Sequence, residues 1–253
     1  MILAAGLGTR LKPLTDSVPK ALVKIFDKTL LEYTIHYLKK SGVDEIIINV
    51  HHFSEQITDF LNTNKNFEIR IEISDESDKL LGIGGGLKKA SWFFNDGKPF
   101  ILIGIDVITS LNIEEMYKYH TENSPLVTLA VKSRPTSRNL LFDSQYNLCG
   151  WKNNETGEIK KISESEAQHS LAFSVVHIIN PKIFEYIVEE GVFGIMDVYL
   201  RLARQFTIKG FRHDESYWYE FGRVEKIKAS EEDIELRKIL EQHIKKYPKT
   251  TGI

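Results

Sequence analysis

The chain has 253 residues, and its 33 lysines and arginines stand against 35 acidic residues for a net charge of −2. That length suits one sizeable core, and a balance so close to neutral gives no long-range field for drawing in nucleic acid or an anionic membrane. Cys149 is the only cysteine, so no intrachain disulfide can form and the cytoplasm is the expected compartment.

In chain order, a short first strand leads into the glycine-rich stretch "LAAGLGTRLKPLTDSVPKALV" (3–23). "TLLEYTIHYLKKSG", "FSEQITDFLNT" and "GGLKKASWFFND" have helical spacing, and they alternate with the β-rich runs "EIIINV" (45–50), "FEIRIEIS" (67–74) and "FILIGI" (100–105). Such alternation predicts crossover units in an α/β fold, with a mixed, mainly parallel sheet and helices on both faces. "SDESD" (74–78) reads as a solvated acidic turn. In the second half "LVTLAVK", "NLLFD", "LCGWK" and "SLAFSVVHIIN" are strand-like and separated by turn signals such as "NNETGE", which predicts antiparallel additions to the sheet. Residues 224–247 form a predicted C-terminal helical segment, with Ile227, Ile234, Ile239 and Leu240 spaced to cover a core edge. Trp92, Phe93, Phe94, Trp151 and Phe173 read as core aromatics. No internal repeat or linker divides the chain, so a single domain over 1–253 is expected. The longest apolar runs, such as "PFILIGI", fall far short of a membrane span, and "MILAAG" has neither the basic flank nor the length of a signal peptide.

The opening stretch carries the chemistry. Residues with little or no side chain leave backbone N–H groups free to point at an anion, and basic residues add the counter-charge. The stretch is not a Walker A loop, since no Gly-Lys-Ser/Thr follows Gly6 at the needed distance, and Leu11 stands where a dinucleotide fingerprint needs its third glycine. A second glycine cluster, "LLGIGGGLKKA" (80–90), falls where a strand should give way to a helix. "FILIGIDVI" puts Asp106 just past the end of an apolar strand, where ligands bind in open α/β sheets. His51 and His52 follow a strand, but no third ligand lies at metal spacing, so they read as loop-lining residues.

The pattern G-x-G-x-R from Gly6 to Arg10, followed by Pro19-Lys20, resembles the signature of sugar-1-phosphate nucleotidyltransferases. The resemblance covers nearly the whole chain. It is strongest toward a small single-domain branch that includes N-acetylmuramate-1-phosphate uridylyltransferases and heptose- or mannose-1-phosphate guanylyltransferases. It implies that Leu3, Ala4, Ala5, Gly6, Gly8 and Thr9 wrap the nucleotide phosphates, that Arg10 binds the leaving pyrophosphate, and that Lys20 contacts the phosphate being transferred. It implies further that Gly84, Gly85 and Gly86 let base and sugar approach the backbone. By the same resemblance Asp106 is the first ligand of a magnesium ion, with manganese as a substitute, and Glu220 in "YWYEFGR" stands at the second ligand position of a W-x-D-x-G motif. Arg138 reads either as a contact to the sugar phosphate or as a solvated surface arginine.

Several positions depart from the family pattern. Gly104 stands where many relatives carry Asn, Gly82 and Ile83 replace an acidic-Thr pair, Val175 replaces the glycine of F-S-G, and Glu220 is one methylene longer than Asp. The implied activity joins a nucleoside triphosphate to a sugar 1-phosphate, most simply by uridylyl transfer, in a monomer or small homo-oligomer. Guanylyl or cytidylyl transfer and a non-catalytic nucleotide or sugar-nucleotide sensor are the alternatives. A glycosyltransferase fits poorly, because Asp106-Val107-Ile108 offers one acid in place of D-x-D.

Overall fold

A computed structural model describes residues 1–163 and 165–244. The first half contains β1 (Ile2–Leu3), β2 (Lys24–Ile25), β3 (Lys28–Thr29), α1 (Leu30–Lys40), β4 (Glu45–Val50), α2 (Ser54–Thr63), β5 (Arg70–Asp75), α3 (Gly82–Lys89), β6 (Phe100–Gly104), β7 (Val107–Thr109) and α4 (Ile113–Asn123). After these come β8 (Val127–Lys132), β9 (Arg138–Phe142), β10 (Leu148–Asn153), β11 (Ile159–Lys161), β12 (His169–Ile179), α5 (Ile195–Leu202), β13 (Ile208–Arg212), β14 (Trp218–Glu220), α6 (Val224–Ser230) and α7 (Ile234–Ile244). The chain forms two compact units.

The first unit comprises residues 2–77, 105–111 and the segment from Tyr217 onward. Its strands β1, β4 and β5 pair in parallel, with Leu3 opposite Asn49 and Asn49 opposite Ser74. Ile46, Ile47, Ile48 and Val50 are all buried. Such a continuous β-branched run is what a strand covered on both faces requires. The helix α1 starts at Thr29, whose hydroxyl caps it by accepting from the Glu32 amide at 3.1 Å. Tyr37 on α1 donates to the Leu111 carbonyl at 2.5 Å and stacks on His243 of α7, which ties the C-terminal helix to this core. A two-stranded antiparallel ribbon, β7 with β14, sets Val107 opposite Glu220 and Thr109 opposite Trp218.

The second unit comprises Met1, 78–104 and 112–216. Its centre is β12, which pairs antiparallel with β6, β8 and β9. The ladder continues from β9 to β10 and β11, both antiparallel, while β13 lies parallel to β8. The register of β12 against β8 shifts between Phe173 and His177, and inside that irregularity Val175 adopts φ 59°. A β-branched residue in the left-handed region is strained.

The α/β class and the antiparallel additions agree with the sequence reading, as do most element positions. The described strands form a mixed sheet, in which β1 with β4, β4 with β5 and β8 with β13 pair in parallel beside antiparallel ladders. The helix expected to begin at Gly85 starts three residues earlier, at Gly82, and ends at Lys89, so all three adjacent glycines lie inside α3. Glu76 is not a solvated turn residue, being fully buried at 0% exposure. Trp92 is surface-exposed instead of core, and Ile234 is exposed while Leu236 takes the buried place on α7. The predicted C-terminal helical segment is realised as α6 and α7, and its last residues, 245–247, lie outside the described residues.

Candidate functional site

The first unit gathers the basic and acidic residues that the sequence singles out. Between β1 and the 3-10 turn Thr9–Leu11, the chain runs without regular structure. Gly8 takes φ 62°, and a Cβ there would lie 2.9 Å from the Thr15 methyl and 3.3 Å from Lys20 Cβ. Glycine at this position is therefore required twice, by conformation and by space. The Gly8 carbonyl accepts from the Thr15 hydroxyl and from the Leu11 amide, both at 2.8 Å, which closes the loop. At Gly6 a Cβ would meet nothing within 4 Å, so no neighbour within the chain calls for glycine there. None of the backbone amides of Ala5, Gly6, Leu7 and Gly8 donates to another described residue. A run of unengaged N–H groups beside two cations is an anion cradle in form.

Lys20 opens a second 3-10 turn, Lys20–Leu22, behind Pro19 at φ −65°. Proline presets the extended entry and Ala21, fully buried, anchors the turn. The Lys20 ammonium donates to Asp106 Oδ2 at 2.6 Å, with the two side chains only 11% and 20% exposed. Asp106 lies between β6 and β7, and its carbonyl accepts from the Phe221 amide at 2.8 Å, next to Glu220 at the end of β14. Asp106 and Glu220 therefore belong to the same end of one ribbon. The Glu220 carboxylate folds back over Gly222, where a Cβ would lie 2.6 Å from Oε1, and Arg10 stands 3.7 Å from that oxygen. Each carboxylate faces one cation.

Two carboxylates with no histidine or thiolate make a hard, oxygen-only donor set. Such a set suits magnesium or manganese, which take one or two protein carboxylates and complete their shell with phosphate oxygens and water. It does not suit a closed protein cage, and among the described residues no group of three or more His, Cys, Asp or Glu gathers to hold a metal. His51 places Nδ1 2.7 Å from the Glu76 carbonyl and has no such cluster around it.

The remaining candidates belong to the second unit. Gly84, Gly85 and Gly86 are buried. A Cβ on Gly84 would come within 2.4 Å of the Phe193 ring, and one on Gly85 within 2.4 Å of the Gly191 carbonyl. The Gly84 amide also donates to the Phe193 carbonyl at 3.0 Å. At these two positions the requirement for glycine comes from the chain's own 191–193 segment. Arg138 begins β9 with an exposed side chain.

Over residues 1–235 the chain matches the family model described as Nucleotidyl transferase. The chain belongs to that family. It is 30% identical over 202 residues to a UTP–glucose-1-phosphate uridylyltransferase from Synechocystis, covering 74% of this chain but about half (50%) of that relative's length. An N-acetylmuramate alpha-1-phosphate uridylyltransferase from Caulobacter vibrioides is 28% identical over 233 residues, 88% of this chain and 90% of the relative. Among solved structures, a UDP-glucose pyrophosphorylase from Acinetobacter baumannii superposes with a TM-score of 0.73 at 17% identity, over 96% of each chain. At that identity the likeness speaks for the fold alone.

Two residues near the loop escape the sequence reading: Asn49 and Glu76. Asn49 accepts from the Ala4 amide at 2.8 Å and donates to Glu76 Oε1 at 2.7 Å. A polar residue inside "EIIINV" is the one trace they leave in the sequence.

Proposed function

We propose that the chain transfers a nucleotidyl group from a nucleoside triphosphate to a sugar 1-phosphate, giving an NDP-sugar and pyrophosphate. The observation that carries this reading is the Lys20–Asp106 pair, held at 2.6 Å in the same unit as a loop of unengaged amides and Arg10. In the reaction a phosphate oxygen of the sugar 1-phosphate attacks the α-phosphorus in line. The bond from the α-phosphorus to the bridging oxygen breaks, and pyrophosphate leaves with the electron pair. A phosphate monoester has its second pKa near ~6, so the nucleophile is already largely dianionic at neutral pH and needs no general base. The site must supply positioning and charge, because two polyanions meet and charge spreads over the reacting oxygens.

The amides of Ala5 to Gly8 bind the triphosphate, with Leu3, Ala4 and Thr9 shaping the loop. Arg10, exposed at 58%, is free to swing from Glu220 onto the departing pyrophosphate. Lys20 lies close enough to Asp106 to be pre-placed for the transferred phosphate. Asp106 and Glu220 would hold magnesium or manganese, which when bound neutralises phosphate charge. Gly86 and Arg138 serve the sugar side, while the lack of a side chain at Gly84 and Gly85 answers to the 191–193 segment. Uridylyl transfer is favoured because the Caulobacter relative named for it is matched over 90% of its length. The whole of 1–253 acts as one nucleotidyltransferase domain, a monomer or small homo-oligomer, in the cytoplasm where nucleoside triphosphates are held.

The test is pyrophosphate release over a panel of UTP, GTP, CTP and dTTP against sugar 1-phosphates, with magnesium and with manganese. Release with one pair well above the others supports transfer and names the substrates. Tight triphosphate binding with no release for any pair establishes the non-catalytic sensor instead.

A further inference from the structure

Asn49 sits near the end of β4, flanked by Ile48 and Val50, and is 3% exposed. A buried side-chain amide costs free energy unless both its ends find partners. Here both do. Its Oδ1 accepts from the Ala4 amide at 2.8 Å, and its Nδ2 donates to the Glu76 carboxylate at 2.7 Å. The Ala4 amide can only donate, so the oxygen of the Asn49 side chain must face it, and that leaves the nitrogen to face Glu76. Glu76 is held in its turn: its amide donates to the Val50 carbonyl at 2.7 Å, and its own carbonyl lies 2.7 Å from His51 Nδ1. Ala4 is the residue at which β1 gives way to the loop, and the next four amides engage no other described residue.

We propose that Asn49 is a positioning residue, which pins the mouth of the phosphate loop through the Ala4 amide and is itself oriented by the buried carboxylate of Glu76. Neither side chain touches substrate, since both are buried. The effect is preorganisation. With Ala4 fixed to β4, the following amides are held open toward the anion and do not fold back onto each other, so the ordering cost is met before the triphosphate arrives. The inference rests on the nucleotidyltransferase reading for the identity of the anion, but the pinning itself is a property of the free protein.

The experiment reverses the sense of one hydrogen bond. In Asn49→Asp a carboxylate faces the Glu76 carboxylate and the donor is lost. In the double variant Asn49→Asp/Glu76→Gln, the carboxylate introduced at position 49 accepts from Ala4 as before. It now also accepts from the side-chain amide introduced at position 76, so the network is complete again. The first readout is amide hydrogen exchange of the free proteins. In the parent, Ala4 is protected while Ala5 to Gly8 exchange freely. In Asn49→Asp the side chain introduced at position 49 has lost its bond to Glu76 and is turned off the Ala4 amide by the facing carboxyl, so exchange at Ala4 accelerates about tenfold or more, the worth of one hydrogen bond, and the double variant returns toward the parent. The second readout is kinetic: KM for the triphosphate rises about tenfold or more in Asn49→Asp while KM for the sugar 1-phosphate is unchanged. The double variant restores it.

Unprotected Ala4 in the parent overturns the proposal, and this measurement needs no variant to fold. So does a fall in thermal stability of Asn49→Asp with triphosphate KM unmoved, or a double variant that regains stability without regaining triphosphate affinity. A parent that binds no triphosphate overturns the functional reading, and the exchange measurement still decides the pinning.

Discussion

Asp106→Asn separates chemistry from folding at the centre of the proposed site. The substitution keeps the shape of the side chain and one oxygen, and removes the charge that faces Lys20 at 2.6 Å. Both side chains are four-fifths or more buried, at 11% and 20% exposure, so screening by water discounts their interaction little. A hydrogen bond to a charged group contributes about 1.5–3 kcal/mol, and a neutral acceptor roughly half of that. The expected stability loss is therefore about 1 kcal/mol, a shift in Tm of about 2–4 °C for a chain of this size. The expected rate loss is larger. Asp106 would act through the metal ion it holds, and loss of one preorganised source of electrostatic stabilisation costs about 100- to 1,000-fold in kcat, or about 2.7–4 kcal/mol. KM for the triphosphate should not rise, because the lost charge repels the anion and Lys20 is released toward it. Pyrophosphate release and thermal melts on the same preparation check the ordering. Turnover at the parental level would remove Asp106 from the reaction, and a rate loss that merely tracks unfolding would make it a structural residue.

Glu220 reaches Arg10 at 3.7 Å by folding over Gly222, an arrangement one methylene longer than an aspartate allows. Magnesium tolerates little departure from octahedral geometry, so the parent should be activated more strongly by manganese and Glu220→Asp should narrow that difference; an unchanged metal ratio in titrations with one substrate pair counts against Glu220 as a ligand. Val175 at φ 59° carries strain of about 1–2 kcal/mol, which Val175→Gly relieves at a cost of roughly 0.5–1 kcal/mol in chain entropy. The variant should melt higher than the parent, and a lower Tm would refute the strain. His120, His177, His213 and His243 are buried, and desolvation lowers their pKa to about 4, 3, 4 and 4. Because each folded value lies below the ordinary 6.5, the unfolded chain binds more protons at acid pH. Stability is then full above pH 6.5 and falls between pH 6.5 and about 4, by up to about 1.4 kcal/mol per pH unit for each histidine. Urea titrations at pH 7, 6 and 5 that give one midpoint would contradict this.

The local patterns were legible in the sequence because they depend on neighbours along the chain. "EIIINV" is a strand because a run of β-branched residues suits a pleat buried on both faces, and Thr29 to Glu32 starts a helix because capping needs only that spacing. Gly6 to Arg10 with Pro19-Lys20 marked the loop for the same reason, since its residues lie within one short stretch. The partners of those residues were decided by the tertiary structure. Asp106 lies 86 residues from Lys20, and nothing in either stretch encodes a distance of 2.6 Å. Gly84 and Gly85 read as openings for a ligand, yet Phe193 and Gly191 from more than a hundred residues away press on them. Glu76 read as solvated because its neighbours in "SDESD" are polar, and it is buried because Asn49 supplies a donor from β4. A buried polar group is stable only when its complement is brought to it from elsewhere. Sequence displays the group, and only the fold supplies the complement.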